Sequence, residues 1–110
     1  MTDSRSTKPL TSSAFYILLA LVDESRHGLG IASEVESRTD GDTRMGPGTL
    51  YNSIKKLLEQ KLIVEVSSDP GDDPRRRYYR ITKGGRAALG SEAHKLDRIL
   101  QAAREKEVLS

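Results

Sequence analysis

At Lys61 the spacing of apolar residues changes from helical to strand-like, so a chain like this must pass from a helix almost directly into a β-hairpin. Ahead of the switch, in Met45 to Lys61 (MGPGTLYNSIKKLLEQK), Leu50, Ile54, Leu57 and Leu58 recur at helical spacing. They predict an amphipathic helix over Pro47 to Gln60 with one stripe facing a core. Behind it, Leu62, Val64 and Val66 alternate with Ile63 and Glu65 as a short strand, and the polar stretch Ser67 to Pro74 can only be a loop. Arg76 to Thr82 (RRYYRIT) reads as the return strand, since Tyr and Ile favour pleated surfaces. Alternation puts Arg77, Tyr79 and Ile81 on one face and Arg76, Tyr78 and Arg80 on the other, with Tyr79 expected in the core.

The helix before the switch has an unusual outer face. Thr49, Asn52, Ser53, Lys56 and Gln60 lie opposite its apolar stripe. Asn and Gln can form paired hydrogen bonds with adenine edges, and Ser and Thr adapt to several bases, so this face suits DNA as well as plain solvent. Pro47 fits a first helical turn, where its missing N–H costs nothing, and Gly46 and Gly48 allow a sharp approach.

Upstream, residues 1–10 are expected to form a mobile arm, after which Thr11, Ser12 or Ser13 caps a helix over Ala14 to Glu24. That helix is apolar on almost every side and is expected at the centre of the core. Arg26-His27-Gly28 breaks it, with His27 closing its end, and a second helix follows over Leu29 to Arg38. Leu29 and Ile31 are expected to be structural, and Thr39-Asp40-Gly41-Asp42 to turn the chain.

Downstream, Thr82 caps a last helix reaching about Glu107, whose first turn Gly84 and Gly85 weaken. Along it Leu89, Ala93, Leu96, Leu100 and Ala103 step by four, three, four and three, a short coiled-coil-like seam. No other element is long enough to cover that seam, so it is expected to pair with the same helix of a second subunit. The alternative is packing back onto Ala14 to Val22.

A chain of 110 residues supports one domain, so a second, catalytic one is not expected. It has no cysteine, so disulfides, thiolate catalysis and Cys-based metal sites are absent. His27 and His94 lie in different elements, and the pair His94 and Asp97 offers two ligands, too few for a metal site. Gly46-Pro47-Gly48-Thr49 lacks the Gly-Lys-Ser/Thr ending of a phosphate loop. Neither an enzyme nor a resident cofactor is expected. The run Ala14 to Val22 falls far short of the roughly 18 to 20 apolar residues of a membrane-crossing helix, so a soluble, cytoplasmic protein without membrane contact is expected.

The net charge of +2 hides a polarised distribution: residues 11–45 carry three basic and six acidic side chains, residues 67–86 six basic and three acidic. Arg75, Arg76, Arg77, Arg80, Lys83 and Arg86 form the basic segment, with the three consecutive arginines, next to Arg80, at the mouth of the hairpin. Asp69, Asp72 and Asp73 can neutralise part of it, yet three consecutive arginines retain donors for a polyanion.

Three helices, a hairpin with a basic mouth and a further helix make a mainly α chain with a small β-hairpin. At the level of motifs, His27-Gly28-Leu29-Gly30-Ile31, Gly46-Pro47-Gly48-Thr49-Leu50-Tyr51, Leu57 to Ile63, and Arg75 to Thr82 with Gly85 resemble the PadR family of transcriptional regulators. The likeness spans roughly residues 12–105. It implies a winged helix-turn-helix domain over residues 11–83 and a dimerisation helix over residues 84–110. It also implies a homodimeric DNA-binding regulator, usually a repressor, acting on an inverted repeat. Two positions depart from the family pattern: Leu29, where many members have tyrosine, and Asn52, where many have proline. The short C-terminal part leaves little room for a private effector cavity, and nothing in the sequence specifies an effector.

On this reading Thr49, Asn52, Ser53 and Lys56 face the bases, and Arg75, Arg76 and Arg77 hold the backbone. Tyr51 either packs inward or lends its hydroxyl to a phosphate. A second functional class stays open, a protein-interaction adaptor that uses the same surface without specific DNA binding.

Overall fold

The structure is a computed structural model that describes residues 9–68 and 70–109. Of the arm expected over residues 1–10, residues 1–8 lie outside that range. Leu10 packs against the core.

The chain runs α1 (Ser12–Ala20), β1 (Arg26–His27), α2 (Gly28–Arg38), α3 (Pro47–Glu59), β2 (Ile63–Val66), β3 (Tyr78–Ile81) and α4 (Lys83–Glu105). Of the three candidate caps, Thr11 starts α1: its hydroxyl accepts the Ala14 N–H at 3.0 Å. The helix is shorter than its apolar run because Leu21 and Val22 leave it through tightened final turns. Helix α1 touches α2, α3 and α4, so it is the central element its composition suggests. Ile17, Leu18, Ala20 and Leu21 are buried, but Leu19 stands outside.

The hairpin is joined by a third strand that the periodicity did not announce. Arg26 and His27, read as a helix break, form β1 antiparallel to β3, giving the sheet order β1-β3-β2. Two residues show no alternation, and what fixes them is tertiary. The Arg26 Nε donates to the Ala20 carbonyl at 2.7 Å, and its guanidinium pairs with Asp23, Glu24 and Glu34. His27 begins the second helix rather than closing the first: its Nδ1 accepts the Gly30 N–H at 3.1 Å.

In the hairpin, Ile63 pairs with Ile81 and Glu65 with Tyr79. Ile63, Tyr79 and Ile81 are buried, matching the face assigned to the return strand. Helix α3 ends on Lys61 in the left-handed region (φ 61°), where the Leu62 N–H reaches the Leu57 carbonyl at 3.0 Å and turns the chain into β2.

Gly85 is required rather than merely tolerated. A Cβ there would overlap the Leu62 carbonyl and crowd Ile81, so only glycine lets α4 begin against β2. Thr82 locks the junction, donating to the Lys61 carbonyl at 2.8 Å while its oxygen accepts the Gly85 N–H at 3.0 Å. The α4 seam divides: Leu89 belongs to the subunit's own core, whereas Ala93, Leu96 and Leu100 are exposed and Ala103 is half-buried. Placing Leu89 against a second subunit is therefore corrected, since the chain's own core covers it.

Candidate nucleic-acid interface

Helix α3 buries Leu50, Ile54 and Leu57, so the face turned outward is decided by the helical step of about 100° per residue. Opposite the buried stripe lie Asn52, Lys55, Lys56 and Glu59, all exposed. Thr49 and Gln60 are exposed on one flank, and Ser53 beside them is half-buried where the start of α1 approaches, in a groove shared with Ser13 and Lys56. The sequence reading omitted Lys55, although the same angular step places it beside Asn52 and Lys56. Gly46 at the N-cap supplies no side-chain acceptor, and Pro47 occupies the first turn, so this end of α3 presents free backbone amides outward.

Tyr51 takes the other flank. It is 47% exposed, which rejects full burial, and its ring lies directly against Gly28 at the start of α2. A groove there is lined by Tyr51, Leu29 and Arg75 to Arg77, joining the flank of α3 to the base of the wing, the β2–β3 hairpin with its loop. Leu29, expected to be structural, is instead 65% exposed at this groove.

The three arginines are exposed but not equivalent. Arg75 binds Asp73 with two nitrogens, each at 3.2 Å, and Arg77 reaches Glu65 on β2 at 3.3 Å. Among the described residues Arg76 forms no ion pair; its Nη1 instead lies 3.0 Å from His27 Nε2. Exposed pairs of this kind contribute little stability, so Arg75 and Arg77 can exchange partners at small cost.

The tip of the wing is held by short-range bonds. The Tyr78 hydroxyl donates to Asp72, whose carboxylate also accepts the Asp73 N–H at 2.8 Å. The Tyr78 bond, then the amide, hold the Asp72 carboxyl below the usual carboxylate range, and the same bond raises the Tyr78 phenol. Asp73 is lowered by Arg75, first through its side chain and then through its N–H. Inside the sheet, burial and then the charge of Glu65 raise the Tyr79 phenol.

Among the described residues no three His, Asp or Glu side chains gather as metal ligands, and no helix is long and apolar enough to cross a membrane.

Residues 17–91 match the family described as "Transcriptional regulator PadR-like family". A protein of Lysinibacillus sphaericus, described only as uncharacterized protein X, is 33% identical over 73 residues, which is 66% of this chain and 67% of that one. A transcriptional regulator of Mycobacterium tuberculosis is 32% identical over 84 residues, 76% of this chain and 75% of the relative. Among solved structures, a PadR family transcription regulator from Clostridium difficile superposes with a TM-score of 0.73 at 22% identity, covering 86% of this chain and 97% of that chain. Winged-helix topology, an exposed polar α3, a basic wing and this match over most of the core identify the chain as a member of the PadR-like family of transcriptional regulators.

Proposed function

We propose that the protein acts as a homodimeric repressor that binds an inverted repeat in duplex DNA. In this reading α3 enters the major groove, and Thr49, Asn52, Ser53, Lys55 and Lys56 face base edges and adjoining phosphates. Arg75, Arg76 and Arg77 grip the flanking backbone, and Tyr51 sits between the two regions with its hydroxyl available to a phosphate. The observation that carries the proposal is the groove lined by Tyr51 and the three wing arginines, which joins one flank of α3 to the basic wing. A groove-reading helix needs backbone contacts beside it to fix its register.

Helix α4 supports the dimer. It is 23 residues long, roughly 34 Å at the usual helical rise, and its first turns pack on the rest of the chain. Beyond Ala93 its apolar stripe has no cover among the described residues: Leu96, Ile99 and Leu100 are 45%, 67% and 44% exposed. Ile99 extends the seam expected from Leu96, Leu100 and Ala103. Two such helices packed together would set the paired α3 helices at a fixed span.

Selection of bound fragments from random DNA tests the proposal. An inverted repeat recovered from the pool is expected. Weak retention blind to sequence would favour the adaptor class instead.

A further inference from the structure

The contact between His27 and Arg76 cannot be satisfied by the two side chains alone. A neutral imidazole has one N–H and one acceptor nitrogen, whereas a guanidinium only donates. Here the acceptor is already assigned, because Nδ1 takes the Gly30 N–H at 3.1 Å. The ring proton therefore sits on Nε2, and that N–H faces the Arg76 Nη1 at 3.0 Å. Two donors face each other across this contact, although the Tyr78 oxygen also accepts from the Arg76 side chain. Moving the proton to Nδ1 would only shift the conflict to the Gly30 amide, and a doubly protonated ring would create it at both nitrogens.

The nearby carboxylate does not resolve the conflict. Asp72 bears on both residues through its charge, but its oxygens are engaged by the Tyr78 hydroxyl and the Asp73 N–H. The ring cannot swing away freely either. It is held edge-on against Tyr78, with centroids 5.3 Å apart at 87°, and β1 anchors its backbone to β3. Both residues line the groove shared with Tyr51 and Leu29.

We infer that His27 and Arg76 form a two-donor clamp for one DNA backbone phosphate, with His27 Nε2–H and a guanidinium N–H meeting phosphate oxygens at the junction of wing and helix. This rests on the DNA-binding reading above and adds to it a residue from β1. In the free protein the clamp is left frustrated; a bound phosphate satisfies both donors and fixes the wing relative to α2.

The test uses H27N and R76A, alone and combined. Asparagine is a good helix cap and keeps an oxygen for the Gly30 N–H, so H27N removes the outward donor while retaining the cap. H27N is expected to weaken binding about tenfold on every duplex, as for a lost hydrogen bond to a charged group. R76A should weaken binding and lower the salt slope by about 0.9. The double variant should lose less than the product of the two single losses. H27N binding like the parent at every salt concentration, or losses that simply multiply, would overturn the clamp.

Nitrogen-15 spectra of the imidazole give a reading that needs no variant. The Nε2-protonated ring is expected in the free chain, with Nε2 shifting when duplex is added; an Nδ1-protonated ring contradicts the inference. A shift produced by inorganic phosphate but not by duplex would make this a free-anion site and overturn its assignment to DNA. A parent chain that retains no duplex at all defeats the DNA-binding reading, whereas intact binding that H27N leaves untouched defeats the clamp alone.

Discussion

The Tyr51 hydroxyl lies over Gly28, so close that a Cβ on Gly28 would stand 2.5 Å from its oxygen. One glycine in α2 thus sets the position of a tyrosine on the flank of α3. Gly28→Ala must push that ring outward, and overpacking of this kind costs about 1–3 kcal/mol where the neighbour cannot yield. Because Tyr51 is half exposed, most of the effect should appear as weaker DNA binding rather than lost stability. Tyr51→Phe separates the two roles: unchanged stability with weaker DNA retention assigns the hydroxyl to a phosphate, and unchanged retention removes it from that role.

At Gly85 the obstacle is backbone rather than a movable ring. Gly85→Ala would drive a methyl group into the Leu62 carbonyl, so α4 must lift off β2. A loss of about 3 kcal/mol is expected, at the upper end of overpacking effects, and a denaturant midpoint reads it directly. A midpoint within experimental error of the parent would mean that α4 does not begin where Thr82 caps it.

Lys61 offers the opposite change. It holds a left-handed φ of 61° at the end of α3, a place where glycine is unstrained. Lys61→Gly should stabilise the chain by about 0.5–1 kcal/mol, the relieved strain being partly offset by the freer unfolded chain. Thermal unfolding checks the sign.

What was legible in the sequence follows from periodicity. Helix α3 and the return strand were readable because buried and exposed positions alternate over several turns or pleats, and Tyr79 fell inside as its face required, whereas in β2 Ile63 is buried and Val64 and Val66 are only half-buried. Strand β1 was not readable: Arg26 and His27 become a strand only through β3 and the carboxylates around Arg26, partners far away in sequence. Leu89 shows a second limit. Its spacing places it equally well in a seam or a core, and only the junction of α4 with β2 and β3 settles which. On α3, the angle of Lys55 alone puts it on the outer face beside Asn52 and Lys56, where it is exposed.

The Asp72–Tyr78 bond makes the wing sensitive to acid. The folded-state pKa of Asp72 lies below its unfolded value, so the contribution is present at neutral pH and is lost as pH falls through the folded value, below about 3.9, the usual aspartate pKa. Amide exchange in the wing loop should accelerate in that window in the parent chain. In Tyr78→Phe, exchange should already be fast at neutral pH, and the acid-dependent step should shrink. Equal exchange in both proteins would show that the bond does not order the wing.

The exposed end of α4 predicts its own outcome. Replacing Leu96 and Ile99 by Glu should leave the melting transition of the subunit nearly intact, because both are exposed, while sedimentation velocity shows a single chain in place of a pair. A parent chain that sediments as a monomer would contradict the seam.

The most direct test of the whole account is binding to a selected inverted repeat as the spacing between its half-sites is varied one base pair at a time. Two chains per duplex are expected, with affinity greatest when half-site centres lie about 10–10.5 base pairs apart and falling sharply when half a turn is inserted. One chain per duplex, with affinity indifferent to spacing, would contradict a dimer that presents two α3 helices to successive grooves.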